Sequence, residues 1–134
     1  MKKRVVGALI AAAAGGAYLF EGMERPRTYP AGVCRAVDGD TLDCAGARIR
    51  LVDIDAPELN GQCPAEIQMA ERAKLAAMIA LASAPAHVTP ERGKDRYGRL
   101  LARVSVDGRD LGETLMAQRL ARPYSGGRRG DWCG

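Results

Sequence analysis

Two prolines, at 64 and 85, bracket a single helical stretch in this sequence. The stretch PAEIQMAERAKLAAMIALASA, residues 64–84, opens on Pro64, which suits a first helical turn, and stops before Pro85. Within it Ile67, Ala70, Ala73, Lys74, Ala77, Met78 and Leu81 recur at helical spacing. An alanine-rich amphipathic helix is expected, with its methionines filling core rather than binding metal. A single helix of that length divides the remaining strands into a group before it and a group after it.

Before the helix, VCRAV and TLDC flank DGD at 38–40, a strand–turn–strand signal, and AGA at 45–47 turns the chain again into RIRLVDI. Three short strands joined by tight turns make a meander. After the helix, AHVTPE reads as a fourth strand and RGKDRYGR as a polar loop. LLARVSVDG reads as a fifth strand, with Leu100, Ala102, Val104 and Val106 on one face. RDLGETLMAQRLA reads as a second, shorter helix. The order β-β-β-α-β-β-α predicts an α+β, mainly β fold, a five-stranded OB-fold barrel, which commonly binds nucleic acids or saccharides on one face.

Ahead of this domain, MKKR and the apolar run from Val5 to Phe20 have the layout of an export signal. Sixteen apolar residues fall between the core of a cleaved signal and a membrane-spanning anchor, so residues 1–24 are assigned as signal or anchor. Residues 25–30 then form a polar, proline-bearing linker, and residues 31–134 the folded domain. Either leader places the domain in the periplasm or outside the cell, with any membrane contact confined to residues 5–20. A monomer is expected.

Cys34, Cys44, Cys63 and Cys133 form an even set, as in small exported domains held by disulfides. Four cysteines admit three pairings. Cys34 and Cys44 are equidistant from Gly39, so a hairpin turning there favours their pairing. Cys63 with Cys133 would then tie the tail to the middle of the chain. Zinc ligation by the four is the alternative, against which stands the absence of paired Cys-x-x-Cys spacing.

The formal net charge of +4 owes much to the leader. With Lys2, Lys3, Arg4, Arg25, Glu21 and Glu24 set aside, 16 basic residues face 14 acidic ones, and 14 of the 16 are arginine. This balance permits a phosphate-bearing partner without requiring one. The chemistry concentrates in IRLVDIDAPE at 49–58, where Asp53, Asp55 and Glu58 crowd within six residues. Acids so close repel unless a cation or a bound arginine offsets them. Asp40 and Asp55 offer hard oxygens of the kind calcium prefers, and Glu58 follows the rigid Pro57. Arg50 and Arg99 could fork onto phosphoryl oxygens. Taken singly, the aspartates also read as turn formers and the arginines as surface ion-pair partners.

VDGDT at 37–41, RLVDIDAPE at 50–58 and DRYGRLLA at 95–102, in this order around a helix, resemble the staphylococcal nuclease (thermonuclease-like) family. The resemblance covers Ala31 to Tyr124. It implies a calcium-dependent nuclease that hydrolyses phosphodiester bonds of DNA and RNA with little sequence preference, leaving 3′-phosphates. It further implies one calcium ion held by Asp40, Asp55 and the carbonyl of Ala56, water activated by Glu58, and developing charge stabilised by Arg50 and Arg99. Tyr97, Tyr124 and Arg96 would be substrate contacts. Three features depart from the family pattern. One tyrosine stands where the family often has two, with Arg128, Arg129 and Trp132 as candidates to take over that contact. The loop LNGQC lacks lysine, and a third helix is missing before the cysteine-bearing tail. His87 lies away from every motif and reads as structural. A non-catalytic module binding single-stranded nucleic acid is the principal alternative, and an envelope scaffold contacting protein is a third.

Overall fold

The computed structural model describes residues 24–134; the apolar leader read as signal or anchor lies outside the described residues. Strands β1 (Arg27–Tyr29), β2 (Cys34–Ala36), β3 (Thr41–Cys44), β4 (Ala47–Leu51) and β5 (Ile54–Asp55) precede helix α1 (Pro64–Ser83). Strands β6 (Ala86–Lys94), β7 (Leu100–Val106) and β8 (Arg109–Asp110), helix α2 (Leu111–Ala117) and β9 (Arg122–Pro123) follow. The main sheet runs β1-β6-β7-β4-β3-β2, with β8 on β7, and β5 pairs with β9 in a second small sheet. The result is mainly β, a nearly closed barrel-like sheet with two helices.

The expected meander, helix and hairpin are present, with corrections at their margins. Arg27–Tyr29, read as linker, is an edge strand paired with β6 from Arg27↔Val88 to Tyr29↔Ala86. Backbone donors that close are more stable in a ladder than unpaired, and three residues suffice to blunt that sheet edge. The fourth strand extends to Lys94, across a register shift between Pro90 and Lys94, into what reads as loop. Asp110 caps α2, its side chain accepting from the Glu113 amide, so Arg109 and Asp110 belong to β8 and the helix is shorter than its sequence signal.

Turn chemistry sets the register of the first hairpins. Ala45 (φ 53°) and Gly46 (φ 92°) both take the left-handed conformation that a two-residue hairpin needs between β3 and β4. Between β2 and β3, the Val37 amide donates to Thr41 O at 2.8 Å, and Cys34 stands opposite Cys44. The Cys34–Cys44 disulfide forms across that pair, and Cys63–Cys133 forms as well, as the sequence analysis favoured.

Helix α1 lays a face of alanine on the sheet: Ala70 is buried, and Ala73, Ala77 and Leu81 share one core with Leu42, Ile49, Val104 and Leu115. Met78 belongs outside this face, 47% exposed alongside Leu75 and Ile79, which corrects its assignment to the core. The alanines matter because the helix sits unusually close. A Cβ on Gly39 would stand 2.8 Å from the Ala73 Cβ and 2.9 Å from the Ala56 Cβ. Three segments therefore meet at van der Waals contact only because Gly39 has no side chain: the helix, the β2–β3 turn and the loop after β5.

Candidate functional site

The β2–β3 turn and the last residue of β5 each present an acid at this junction. Asp40 is 5% exposed and Asp55 2%. Asp40 is fixed from two sides, its Oδ2 accepting from the Ala56 amide at 3.1 Å and its Oδ1 from the Thr41 hydroxyl at 3.3 Å. The neighbouring Asp38 accepts from the Asp40 amide at 3.1 Å. Burial, and then the nearby Asp40 charge, push its carboxyl up to about 6.

The three crowded acids do not stay together. In an unbroken strand Asp53 and Asp55 would face the same way, two residues apart. Asp53 instead takes a left-handed backbone (φ 64°) in the turn between β4 and β5, which breaks this parity. Its carboxylate pairs with Arg92 and Arg103, while Asp55 and Glu58 pair with Arg129. Asp53 is therefore an ion-pair partner of the β6–β7 hairpin.

The positive group expected at this corner is the side chain of Arg129. Its Nε donates to Asp55 Oδ1 at 2.7 Å, and its Nη2 reaches the same carboxylate, Asp40 Oδ2 at 3.5 Å and the Ala56 carbonyl at 3.3 Å. Its Nη1 donates to Glu58. Burial pulls the Arg129 pKa down, but the Asp55 hydrogen bond and the charges of Asp55, Glu58 and Asp40 outweigh it and hold the guanidinium above its ordinary value. The tail that carries it is anchored by Cys63–Cys133 and by Trp132, which is buried beneath Arg122 at 3.7 Å and donates to Asp55 Oδ2 at 3.3 Å.

Strand pairing gathers the remaining motif residues. Thr41 lies opposite Arg50 across β3–β4, and Arg50 lies opposite Leu101 across the parallel β4–β7 ladder. Motifs from three distant parts of the sequence thus sit on adjacent strands. Arg50 Nη2 approaches Asp40 Oδ2 at 3.5 Å, while its Nη1 donates to the Leu51 and Ile54 carbonyls. Arg99 Nη1 donates to the Thr41 hydroxyl at 3.2 Å, and its Nε is held by Asp95 Oδ2 at 2.8 Å. Burial works to raise the Asp95 pKa, but the backbone and side-chain hydrogen bonds from Arg99 dominate and lower it.

Among known proteins, the model of the staphylococcal nuclease homologue family matches residues 48–130. The chain belongs to the staphylococcal nuclease family. It is 35% identical over 94 residues to the SPbeta prophage-derived endonuclease YokF of Bacillus subtilis (strain 168), covering 66% of this chain and 32% of that protein. It is 34% identical over 94 residues to the endonuclease YncB of the same organism, covering 66% and 44%. It is 33% identical over 90 residues to the succinoglycan biosynthesis protein ExoI of Rhizobium meliloti (strain 1021), covering 63% and 47%. The match spans less than half the length of each of these relatives.

Members of the staphylococcal nuclease family are generally metal-dependent. Among the described residues no group of three or more His, Cys, Asp or Glu side chains is arranged to hold a metal ion; the carboxylates here meet a guanidinium. The donor set nevertheless suits a hard cation. Asp40, Asp55, Glu58 and the Ala56 carbonyl all address one cationic group, and oxygens of these kinds are ones a hard cation could also take. Two buried carboxylates and a carbonyl would leave further coordination positions to water.

The expected substrate contacts lie at two places. Tyr97 is 67% exposed at the tip of the β6–β7 connection, with the Arg96 guanidinium 4.9 Å and that of Arg99 5.4 Å from its ring centroid. Arg96 also donates to the Tyr97 hydroxyl at 2.7 Å. Tyr124 is tied to the tail, its hydroxyl donating to Gly127 O at 2.6 Å and its amide to Asp53 O at 2.9 Å. His87 sits on β6 with its Nδ1 2.8 Å from the Thr28 hydroxyl, a link between β1 and β6.

Sequence reasoning missed Arg129 as the partner of the acids and Glu66 as a support for their loop. Buried Glu66 accepts from the Glu58 amide at 3.0 Å and the Gln62 amide at 3.1 Å, holding the loop that carries the Glu58 side chain. The signal for Arg129 was present in two halves: uncompensated acids, and a basic pair four and five residues before a cysteine expected to pair with Cys63. Asp55, Glu58, Asn60, Glu66, Arg129 and Trp132 line a cleft of about 620 Å³.

Proposed function

We propose that this chain is an exported, calcium-dependent nuclease that hydrolyses phosphodiester bonds of DNA and RNA with little sequence preference. The observation that carries the reading is the convergence of Asp40, Asp55, Glu58 and the Ala56 carbonyl on one cationic group, with Arg50 approaching Asp40 and Arg99 bonded to the neighbouring Thr41 hydroxyl. Nuclease-named relatives support the substrate class, and two disulfides support an oxidising compartment.

With Arg129 withdrawn, Asp40, Asp55 and the Ala56 carbonyl would hold calcium, which would supply positive charge beside the phosphate. Glu58 takes the proton of a water attacking phosphorus, in line with the departing 5′-oxygen, so the other product keeps a 3′-phosphate. Arg50 and Arg99 donate N–H groups to the phosphoryl oxygens as their charge grows. Asp95 holds the Nε of Arg99 and leaves its Nη2 for substrate. Tyr97, with Arg96 against it, offers an exposed ring beside Arg99 for a nucleotide, and Tyr124 borders the site from the tail.

Cleavage of single-stranded DNA by the oxidised chain, with millimolar calcium and then with chelator, tests the reading. Calcium-dependent cutting that falls by orders of magnitude in Glu58→Ala is expected. Binding of DNA without cutting under any divalent ion would replace the nuclease by a binding module.

A further inference from the structure

We propose that Arg129 is a built-in competitor for the cation site: the tail holds a guanidinium on the same oxygens that a divalent cation would take, and the Cys63–Cys133 disulfide keeps it there. The inference rests on the cation reading given under the proposed function.

The guanidinium is spent on protein oxygens. Its three nitrogens address Asp55, Glu58, Asp40 and the Ala56 carbonyl, which are every group assigned to the cation together with the group assigned to the proton. An arginine so engaged has little left to offer a phosphate, and a Glu58 carboxylate bonded to it is a poor acceptor for the proton of water. This occupancy opposes catalysis, in contrast to Arg99, whose Nε and Nη1 are held by Asp95 and Thr41 while its Nη2 is left for substrate.

The tail is built to keep Arg129 in place. Three residues separate it from Cys133, whose bond to Cys63 fixes the chain beside the N-terminus of α1. Arg122 donates to the Asp131 carbonyl at 2.7 Å, and Trp132 is buried against Asp55. On the other side, Tyr124 closes the turn through Gly127. A group held at both ends acts at high effective concentration, so its competition does not require a strong bond. The charges also permit its release. Three carboxylates meet one Arg129 charge, and a divalent cation brings twice as much to the same oxygens. The side chain is 41% exposed, so its path outward is open.

The consequence is a threshold: calcium must displace Arg129 before the site can work, and loosening the tail lowers the calcium needed. Calorimetric titration of calcium into the oxidised full chain, beside Arg129→Gln and Arg128→Gln, reads this without any turnover. Arg129→Gln is expected to bind calcium about tenfold more tightly, equivalent to about 1.4 kcal/mol, with Arg128→Gln unchanged. In the parent chain the emission of Trp132, the single tryptophan, should shift in step with calcium as the indole leaves Asp55. A Cys63→Ser/Cys133→Ser chain retains Arg129 but frees the tail, and should also bind calcium more tightly. Calcium binding by Arg129→Gln that is equal to or weaker than that of the parent overturns the competition. Unchanged affinity in the double serine variant overturns the role of the tether. If no chain binds calcium, the cation reading itself falls and takes the competitor with it.

Discussion

Replacing Gly39 by alanine sets two effects of opposite sign against each other. Gly39 is not among the residues with positive φ, so alanine fits its backbone, and the unfolded chain would lose freedom worth about 0.4–1 kcal/mol in favour of the fold. Against this, the new methyl would lie 2.8 Å from the Ala73 Cβ and 2.9 Å from the Ala56 Cβ, where carbons prefer about 3.5–4.0 Å. Both neighbours are short side chains with no rotamer to yield, so backbone must move by several tenths of an ångström at least. Overpacking of this kind costs about 1–3 kcal/mol. The steric effect wins, and a net loss of about 1–2 kcal/mol is expected from urea denaturation, read as a lower midpoint at unchanged slope. Because the strain falls between the Asp40 turn and the Ala56 loop, calcium binding should weaken as well. Adding Ala73→Gly removes one of the two contacts, and the second substitution should cost less in the presence of Gly39→Ala than alone. A Gly39→Ala chain as stable as the parent, with the same calcium affinity, would refute the claim that this close approach positions the site.

Other outcomes can be checked on the same footing. Removing Cys63–Cys133, which closes 70 residues, should cost about 4 kcal/mol in the chain-entropy model, against about 3 for Cys34–Cys44, which closes 10; denaturant midpoints of the two double-serine chains give the order. Arg99→Lys loses the planar fork and should lower kcat about 10²–10³-fold with little change in melting temperature, measured by steady-state cleavage. The Asp95 carboxyl lies below its ordinary 3.8 in the folded chain, so its stabilising contribution is complete above that value and is lost as pH falls through the lower folded one. Asp95→Asn should accordingly flatten the acid limb of the stability profile, followed by fluorescence-detected melting between about pH 2 and 5. Glu66→Gln keeps the shape but weakens the charge-assisted acceptors of the Glu58 and Gln62 amides, and faster amide exchange in residues 58–62 should report it.

Local signals carried much of the architecture. Two prolines and a 3.6-residue period bounded α1 to within a residue, since both act within a few positions of the chain. The Asp-Gly turn fixed the hairpin and hence the register that joins Cys34 to Cys44. The motifs around Asp40, Arg50 and Arg99 were legible as types of chemistry, and the crowding of acids already called for a positive partner. Local reading stopped where a residue's environment is set from far away. Arg27–Tyr29 has the composition of a linker and becomes a strand only because β6 offers it unpaired backbone. The shift of Met78 to the surface follows from how closely α1 lies on the sheet, which no periodicity states.

The acids show the division most clearly. The sequence alone shows that Asp53, Asp55 and Glu58 fall within six residues, and that carboxylates held so close need a positive partner. Tertiary structure decided which cation each receives. A left-handed residue at Asp53 breaks the strand parity and its carboxylate pairs with Arg92 and Arg103, and a disulfide closing 70 residues of chain delivers Arg129 to the others. Electrostatic need is a local property of sequence, but the partner that meets it is chosen by chain reversal and packing, which bring together groups that no short window contains.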